Sequence, residues 1–192
     1  MDTELVIRAQ RGDQAAFAEI AAATYGRLHS IAYGILRDRI LAEDAVQQAM
    51  LEAWRNLPKL RDPSRFEAWS YRLTVNACYA ESKRAKRWLP NMPIDTPREP
   101  VAFDEIGPVA DRELLDRGFR ALSVEQRSVL VLRHLVGLPL DEVAETLDIP
   151  AGTARSRLYR AIQTMRASIE ADSRPPSGGS AAMNEISTGA AS

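Results

Sequence analysis

The chain has 192 residues, 45% hydrophobic and 27% charged, which places it among globular proteins of one large or two small domains. Lys and Arg number 25 against 26 Asp and Glu, so the molecule is no polycation and any nucleic-acid site must come from local segregation of charge. A single cysteine, Cys78, excludes an internal disulfide framework and a cysteine-based zinc site.

The opening run MDTELVIRAQRGD has early acids and no apolar stretch. No secretory signal or membrane span is expected, and the protein is predicted to be cytosolic. Leu5, Val6 and Ala9 predict a short helix ending near Gly12. Asp13 suits the N-cap of a second helix bearing Phe17, Ile20, Ala21, Leu28, Ile31, Ala32 and Ile35. A third helix follows the polar break at 37–39. Its apolar stripe is Ala45, Val46, Ala49, Met50, Ala53 and Trp54, all expected in the core, while Glu43, Asp44, Gln47, Gln48 and Glu52 form the other face. Two prolines make 57–65 a loop. A fourth helix starts near Phe66 and runs through Trp69, Leu73, Val75 and Ala77 into KRAKRW, whose positive charges suit a helix C-terminus. Residues 1–88 hold 14 basic and 11 acidic side chains, whereas 89–112 hold 2 basic and 5 acidic.

Residues 89–112, proline-rich and acidic, predict a flexible linker. Helical patterning resumes at Glu113 with Leu114, Leu115 and Leu122. Ser123 and Gln126 predict a capping box opening a helix with Val129, Leu130, Leu132 and Leu135. Within 138–166 come two more helical patterns. The first places Val143, Ala144 and Leu147 on one face. A break through Asp148, Ile149 and Pro150 follows, with Pro placed for the first turn of a helix. The second buries Ala154, Leu158, Ile162 and Met165. The tail, 173–192, is rich in Pro, Gly, Ser and Ala and is expected to lack order. The predicted fold is all-α: two small helical domains, 1–88 and 113–172, joined by the linker 89–112 and trailed by 173–192.

The last helical pair carries the clearest chemistry. Thr153, Arg155, Ser156, Arg157, Tyr159 and Arg160 point mostly outward, and 149–169 hold four Arg and no acid. The helix before it carries Asp141, Glu142 and Glu145. A basic helix with small polar residues suits the major groove, where Arg bonds guanine edges or phosphates, so the pair reads as a helix-turn-helix. An ordinary helical hairpin with a solvated basic face gives the same pattern.

No catalytic arrangement is present. His29 and His134 lie far apart in helical patterns, no HExxH occurs, and no glycine-rich phosphate loop is formed. The chain is predicted to be no enzyme and to need no cofactor or metal.

The strings GDQAAFAEI, AEDAVQQAMLEAW, RFEAWSYRLTVNA and GTARSRLYRA, in this order and spacing, resemble the extracytoplasmic-function (ECF) group of sigma-70 factors of bacterial RNA polymerase. The resemblance covers about 5–169 and implies region two at 1–88 and region four at 113–172, without the intervening region three. It implies core RNA polymerase and promoter DNA as partners, and an anti-sigma protein as the expected inhibitor. AEDAVQQAMLEAW resembles the helix that docks on core polymerase, implicating Glu43, Asp44, Gln47 and Gln48. The family commonly has an acid where Gln48 stands. The segment from Leu60 resembles the one that opens and reads the −10 element. It implicates Arg61, Asp62, Ser64 and Arg65 in the loop and Arg72 and Asn76 on the helix, with Lys83, Arg84, Lys86 and Arg87 as phosphate contacts. Trp69 and Tyr71 are offered by the same helix, with Trp69 itself read as plain core. The family often has Ile-Ala where this chain has Leu73-Thr74. GTARSRLYRA implies base contact in the −35 element by Arg155, Ser156, Tyr159 and Arg160, and phosphate contact by Thr153 and Arg157.

Two other readings remain open from the sequence. One is a stand-alone helix-turn-helix regulator that binds its operator unaided as a dimer. The other is a helical adaptor that binds proteins only.

Overall fold

Short polar side chains set the helix starts. Asp2, Asp13 and Asp38 each accept a backbone N–H at 3.0 Å, from Glu4, Ala16 and Leu41 respectively. They open α1 (Thr3–Gln10), α2 (Gln14–Leu36) and α3 (Arg39–Asn56). In the expected capping box, Ser123 accepts from Gln126 N at 3.3 Å while Gln126 accepts from Ser123 N at 2.9 Å. The computed structural model describes residues 1–88 and 109–172; the predicted tail and most of the predicted linker lie outside them.

Two 3-10 turns, Leu57–Lys59 and Pro63–Arg65, lead from α3 into α4 (Phe66–Trp88). After the linker come α5 (Val109–Arg120) and α6 (Val124–Leu130), the latter continuing as a π turn over Val131–Leu135. Helix α5 thus begins four residues before the expected Glu113. The last described elements are α7 (Leu140–Leu147) and α8 (Ala151–Asp172). Pro150 directly precedes α8, and its carbonyl accepts from Thr153 N at 2.8 Å. Asp148 makes the turn between the two helices with φ +55°, a left-handed conformation that Asp tolerates through local hydrogen bonding. The architecture is all-α, and no strand occurs among the described residues. No helix among them is long and apolar enough to cross a membrane.

Helices α1–α4 pack as one bundle with two apolar centres. Val6, Ala9, Ala16, Ile20, Leu57 and Phe66 close the end where the loop meets α4. The other centre, around Leu28, Ile31, Ile35, Val46 and Val75, runs on without a break into Val129, Val131, Leu132 and Val143 of the second helical unit. A third cluster of Leu122, Leu130 and Ala161 joins α6 to α8. The two helical units therefore share a core. Arg37, at the α2 C-cap with φ +56°, reaches across the junction. It pairs with Asp116 of α5, and its guanidinium lies 5.1 Å from the Tyr33 ring centre and 5.3 Å from that of Phe119.

Cys78 lies in the shared core with no exposed surface. Burial pushes its thiol pKa up, so the reactive thiolate is scarce at neutral pH. We expect no reaction with a disulfide reagent in the native chain and one thiol titrated after denaturation. Fast native titration would show that α4 opens locally.

Candidate nucleic-acid interface

Helix α4 carries a basic ridge set by helical spacing. Arg72, Asn76, Lys83 and Arg87 recur at intervals that place them on one side, and all are exposed, as is Lys86. The loop before α4 adds exposed Arg61, Ser64 and Arg65. Asp62, for which a DNA contact is also expected, is exposed as well. Its carboxylate accepts from Ser64 Oγ at 2.6 Å and Ser64 N at 3.0 Å, so it shapes the turn. Those two bonds hold its carboxyl pKa below the usual carboxylate value.

Other members of this segment are committed to the protein itself. Tyr71 is buried at 4% exposure, and Arg27 donates to its hydroxyl at 3.3 Å, which removes it as a stacking platform. Trp69 is half-buried against Phe66, with ring centres 5.9 Å apart. Arg84 lies 2.8 Å from Glu81 and 3.4 Å from Asp44 of α3, which ties α4 to the candidate docking helix. Two of the exposed arginines already face carboxylates of the second unit: Arg65 meets Glu145 of α7 at 2.9 Å and Arg72 meets Asp148 in the turn after it at 2.8 Å.

The α7–α8 pair has the geometry of the expected helix-turn-helix. Arg155, Tyr159 and Arg160 are exposed, with Tyr159 at 65%. Thr153, Ser156 and Arg157 are half-buried. Ser156 Oγ donates to the Thr153 carbonyl at 3.0 Å and receives Arg160 Nη2 at 3.4 Å, so the hydroxyl helps orient the arginine. Ala154 and Ala161 are fully buried and fix the opposite side of α8. Ala161 was absent from the expected core set, because a lone alanine between Arg160 and Ile162 gives a weak apolar signal.

On α3, Gln47 and Gln48 are exposed, and Glu43 and Asp44 are half-buried. Glu43 pairs with Arg39 at 3.2 Å. The expectation that Trp54 belongs to the core is corrected: it is 37% exposed, and its ring meets Phe17 edge-on with centres 4.8 Å apart. Core positions Ala42, Ala45, Ala49 and Ala53 already fill the buried side, so the indole lies beyond it. Phe17, Tyr25, Gln47, Met50, Leu51 and Trp54 line an open groove of about 680 Å³ between α2 and α3. Ile40 and Leu51 add apolar surface at 71% and 51% exposure. The available signal was a second, sparser apolar stripe: Ile40, Leu51 and Trp54 follow one another at eleven- and three-residue steps, off the alanine stripe.

Comparison with known proteins agrees with this geometry. The model of Sigma-70 region 2 matches residues 20–88, and that of Sigma-70, region 4 matches 112–165. The ECF RNA polymerase sigma factor SigM of Mycobacterium tuberculosis (strain ATCC 25618 / H37Rv) is 32% identical over 167 residues, covering 83% of this chain and 80% of that protein. The ECF RNA polymerase sigma-E factor of Escherichia coli (strain K12) is 30% identical over 173 residues, covering 83% and 90%. Among solved structures, CnrH in complex with the cytosolic domain of CnrY aligns with a TM-score of 0.64 at 26% identity, over 89% of this chain and 98% of that one. With matches to both regions in order and relatives of this coverage, the chain belongs to the ECF group of RNA polymerase sigma factors.

Proposed function

We propose that this sigma factor divides its work between three helices: α3 docks on core RNA polymerase, α4 captures the −10 element and α8 reads the −35 duplex. Residues 1–88 act as region two and 113–172 as region four. The observation that carries the reading is the pair of exposed basic ridges, Arg72–Asn76–Lys83–Arg87 on α4 and Arg155–Tyr159–Arg160 on α8. A sigma factor needs one surface for unpaired strand and another for duplex.

Docking uses the α2–α3 groove, with Trp54 and Leu51 as apolar anchors and Glu43, Asp44, Gln47 and Gln48 as its polar border. At the −10 element, Arg61, Ser64, Arg65, Arg72 and Asn76 meet bases and backbone of the opened strand. Lys83, Lys86 and Arg87 track phosphates. Asp62 and Arg84 contribute by holding the loop and the α3–α4 junction. In region four, Arg155, Ser156, Tyr159 and Arg160 meet base edges, while Thr153 and Arg157 meet phosphates. Preferential binding of the melted state shifts the closed-to-open equilibrium of the promoter. Catalysis belongs to the polymerase, so the chain is no enzyme itself, and it works in the cytoplasm, where the polymerase is. An anti-sigma protein is the expected inhibitor, by likeness to CnrH bound to CnrY. The stand-alone regulator is not favoured, because the region-two match covers residues 20–88, from within α2 to the end of α4.

Mixing the chain with sigma-free core polymerase and genomic fragments, then sequencing transcripts, tests the assignment. Discrete start sites preceded by two shared elements at fixed spacing are expected. Operator binding by the chain alone, with no transcripts, would overturn it. On a promoter so defined, Arg155→Ala should weaken −35 recognition by about 1–3 kcal/mol and relax preference at one base pair. Uniform weakening on all sequences would move Arg155 to the phosphate contacts.

A further inference from the structure

The loop between α3 and α4 needs outside help to hold its shape at Arg61. Its two 3-10 turns each close on themselves, Leu60 N donating to the Leu57 carbonyl and Arg65 N to the Asp62 carbonyl, both at 3.1 Å. Neither bond crosses Arg61, where the chain bends between extended Leu60 and extended Asp62. The help comes from α1. Its last residue, half-buried Gln10, uses both donors of one amide nitrogen: Nε2 stands 3.1 Å from the Leu57 carbonyl and 2.7 Å from that of Leu60. We propose that Gln10 is a positioning residue for the −10 element, fixing the bend that presents Arg61 and so sharpening the base preference that Arg61 exerts. This rests on the reading of the loop given above.

The side chains of Leu57 and Leu60 pack in the same apolar centre as Val6 and Ala9, so α1 supports the loop from beneath while Gln10 holds its carbonyls. Leu57 is fully buried and cannot shift without opening that centre. The Leu60 carbonyl has the greater leverage, because it belongs to the peptide unit that leads into Arg61. That unit is planar, so a hydrogen bond to its oxygen fixes the whole plane and with it the direction in which the Arg61 side chain leaves the backbone. On the far side, the Asp62 carboxylate accepts from Ser64 N at 3.0 Å and Ser64 Oγ at 2.6 Å and closes the exit from the bend. Arg61 is thus exposed between two pinned neighbours. A long cation held at its root loses less freedom when it meets a base. Without the Gln10 amide the peptide before Arg61 turns freely, and binding must order it again.

The test uses the holoenzyme formed by the full chain with core polymerase. Its probe is a fluorescent single strand of about 12 nucleotides carrying the −10 element of the promoter found by transcript sequencing. Strands with one base changed at a time give the base preference. Gln10→Met keeps the length and neutrality of the side chain and removes both donors. It should lower affinity for the −10 strand by about fivefold, the scale of ordering one residue's backbone on binding, and flatten preference at the position that Arg61→Ala also flattens. In the Arg61→Ala background the same change should cost less than about twofold, since residues acting through one another do not add. Gln10→Lys, whose ammonium restores N–H donors, should bring the preference back, because its extra charge raises affinity for every strand alike and leaves the ratios unchanged. Should Gln10→Met lose helical circular dichroism, Gln10→Asn, one methylene too short to bridge both carbonyls, decides instead, with a loss of about twofold at the same position. Equal losses in the two backgrounds, or parental base preference in the folded variant without donors, overturns the positioning role. If Arg61→Ala alone leaves strand affinity and preference unchanged, the reading of the loop falls, and the positioning role with it.

Discussion

Replacing Trp54 with Ala should weaken binding to core RNA polymerase by about 30-fold or more, the roughly 2 kcal/mol or more of a buried aromatic anchor. The indole is 37% exposed in the free chain and forms one wall of the α2–α3 groove against Phe17. A side chain with that much apolar area open to water gains most by being covered by a partner. Leu51→Arg, at 51% exposure in the same groove, separates docking from folding. It should weaken polymerase binding while leaving the melting temperature nearly unchanged, because exposed surface substitutions cost little stability. The measurement is a titration of labelled core polymerase with each variant, alongside a thermal melt. Full binding by both variants would remove the groove from the docking surface and leave Gln47, Gln48 and the acids of α3 to carry it.

The largest effect on stability is expected at Phe66. Its ring is 1% exposed and sits among Val6, Ala9, Ala16, Ile20 and Leu57, where α1, the 3-10 turns and the first turn of α4 converge. Phe66→Ala removes the buried ring and leaves a cavity that short helices cannot wholly collapse, at a cost of about 3–5 kcal/mol. That is a large share of the stability of a small domain. Denaturant unfolding followed by circular dichroism should show the midpoint falling with little change in slope. The consequence reaches function through position. Phe66 directly follows Arg65 and roots the loop that carries Arg61 and Ser64, so opening of this cluster releases the candidate −10 residues from α4. A stability loss well under 1 kcal/mol would mean that the cluster repacks, and that the loop is held by Asp62 and the Gln10 side chain, which donates to the Leu57 and Leu60 carbonyls at 3.1 Å and 2.7 Å.

Both cases separate docking strength from fold strength. Substitutions at these places should move different observables. Trp54 moves polymerase affinity and Phe66 moves the unfolding midpoint.

Much of this protein was determined by its sequence alone. The all-α class, the starts of α2 and α6 at Asp13 and Ser123, the helix-turn-helix within 138–166 and the family followed from spacing, caps and four short motifs. These depend on contacts between residues within a turn or two of each other, so one-dimensional order carries them. Tertiary structure decided the rest. Trp54 and Tyr71 both read as aromatic residues on an amphipathic helix, yet packing leaves the first open in a groove and buries the second beside Arg27. Helical periodicity identifies a face but does not say which of two apolar stripes the neighbouring helices cover. Asp62 and Arg84 both read as DNA contacts and both are exposed, but only the fold shows that Ser64 engages the first and that Glu81 and Asp44 pair with the second. The contacts of Gly34 with Val131 and of Arg65 with Glu145 link positions far apart in the chain, across residues 89–108. No local pattern encodes such a pairing, because it depends on the shapes of two finished helical units meeting.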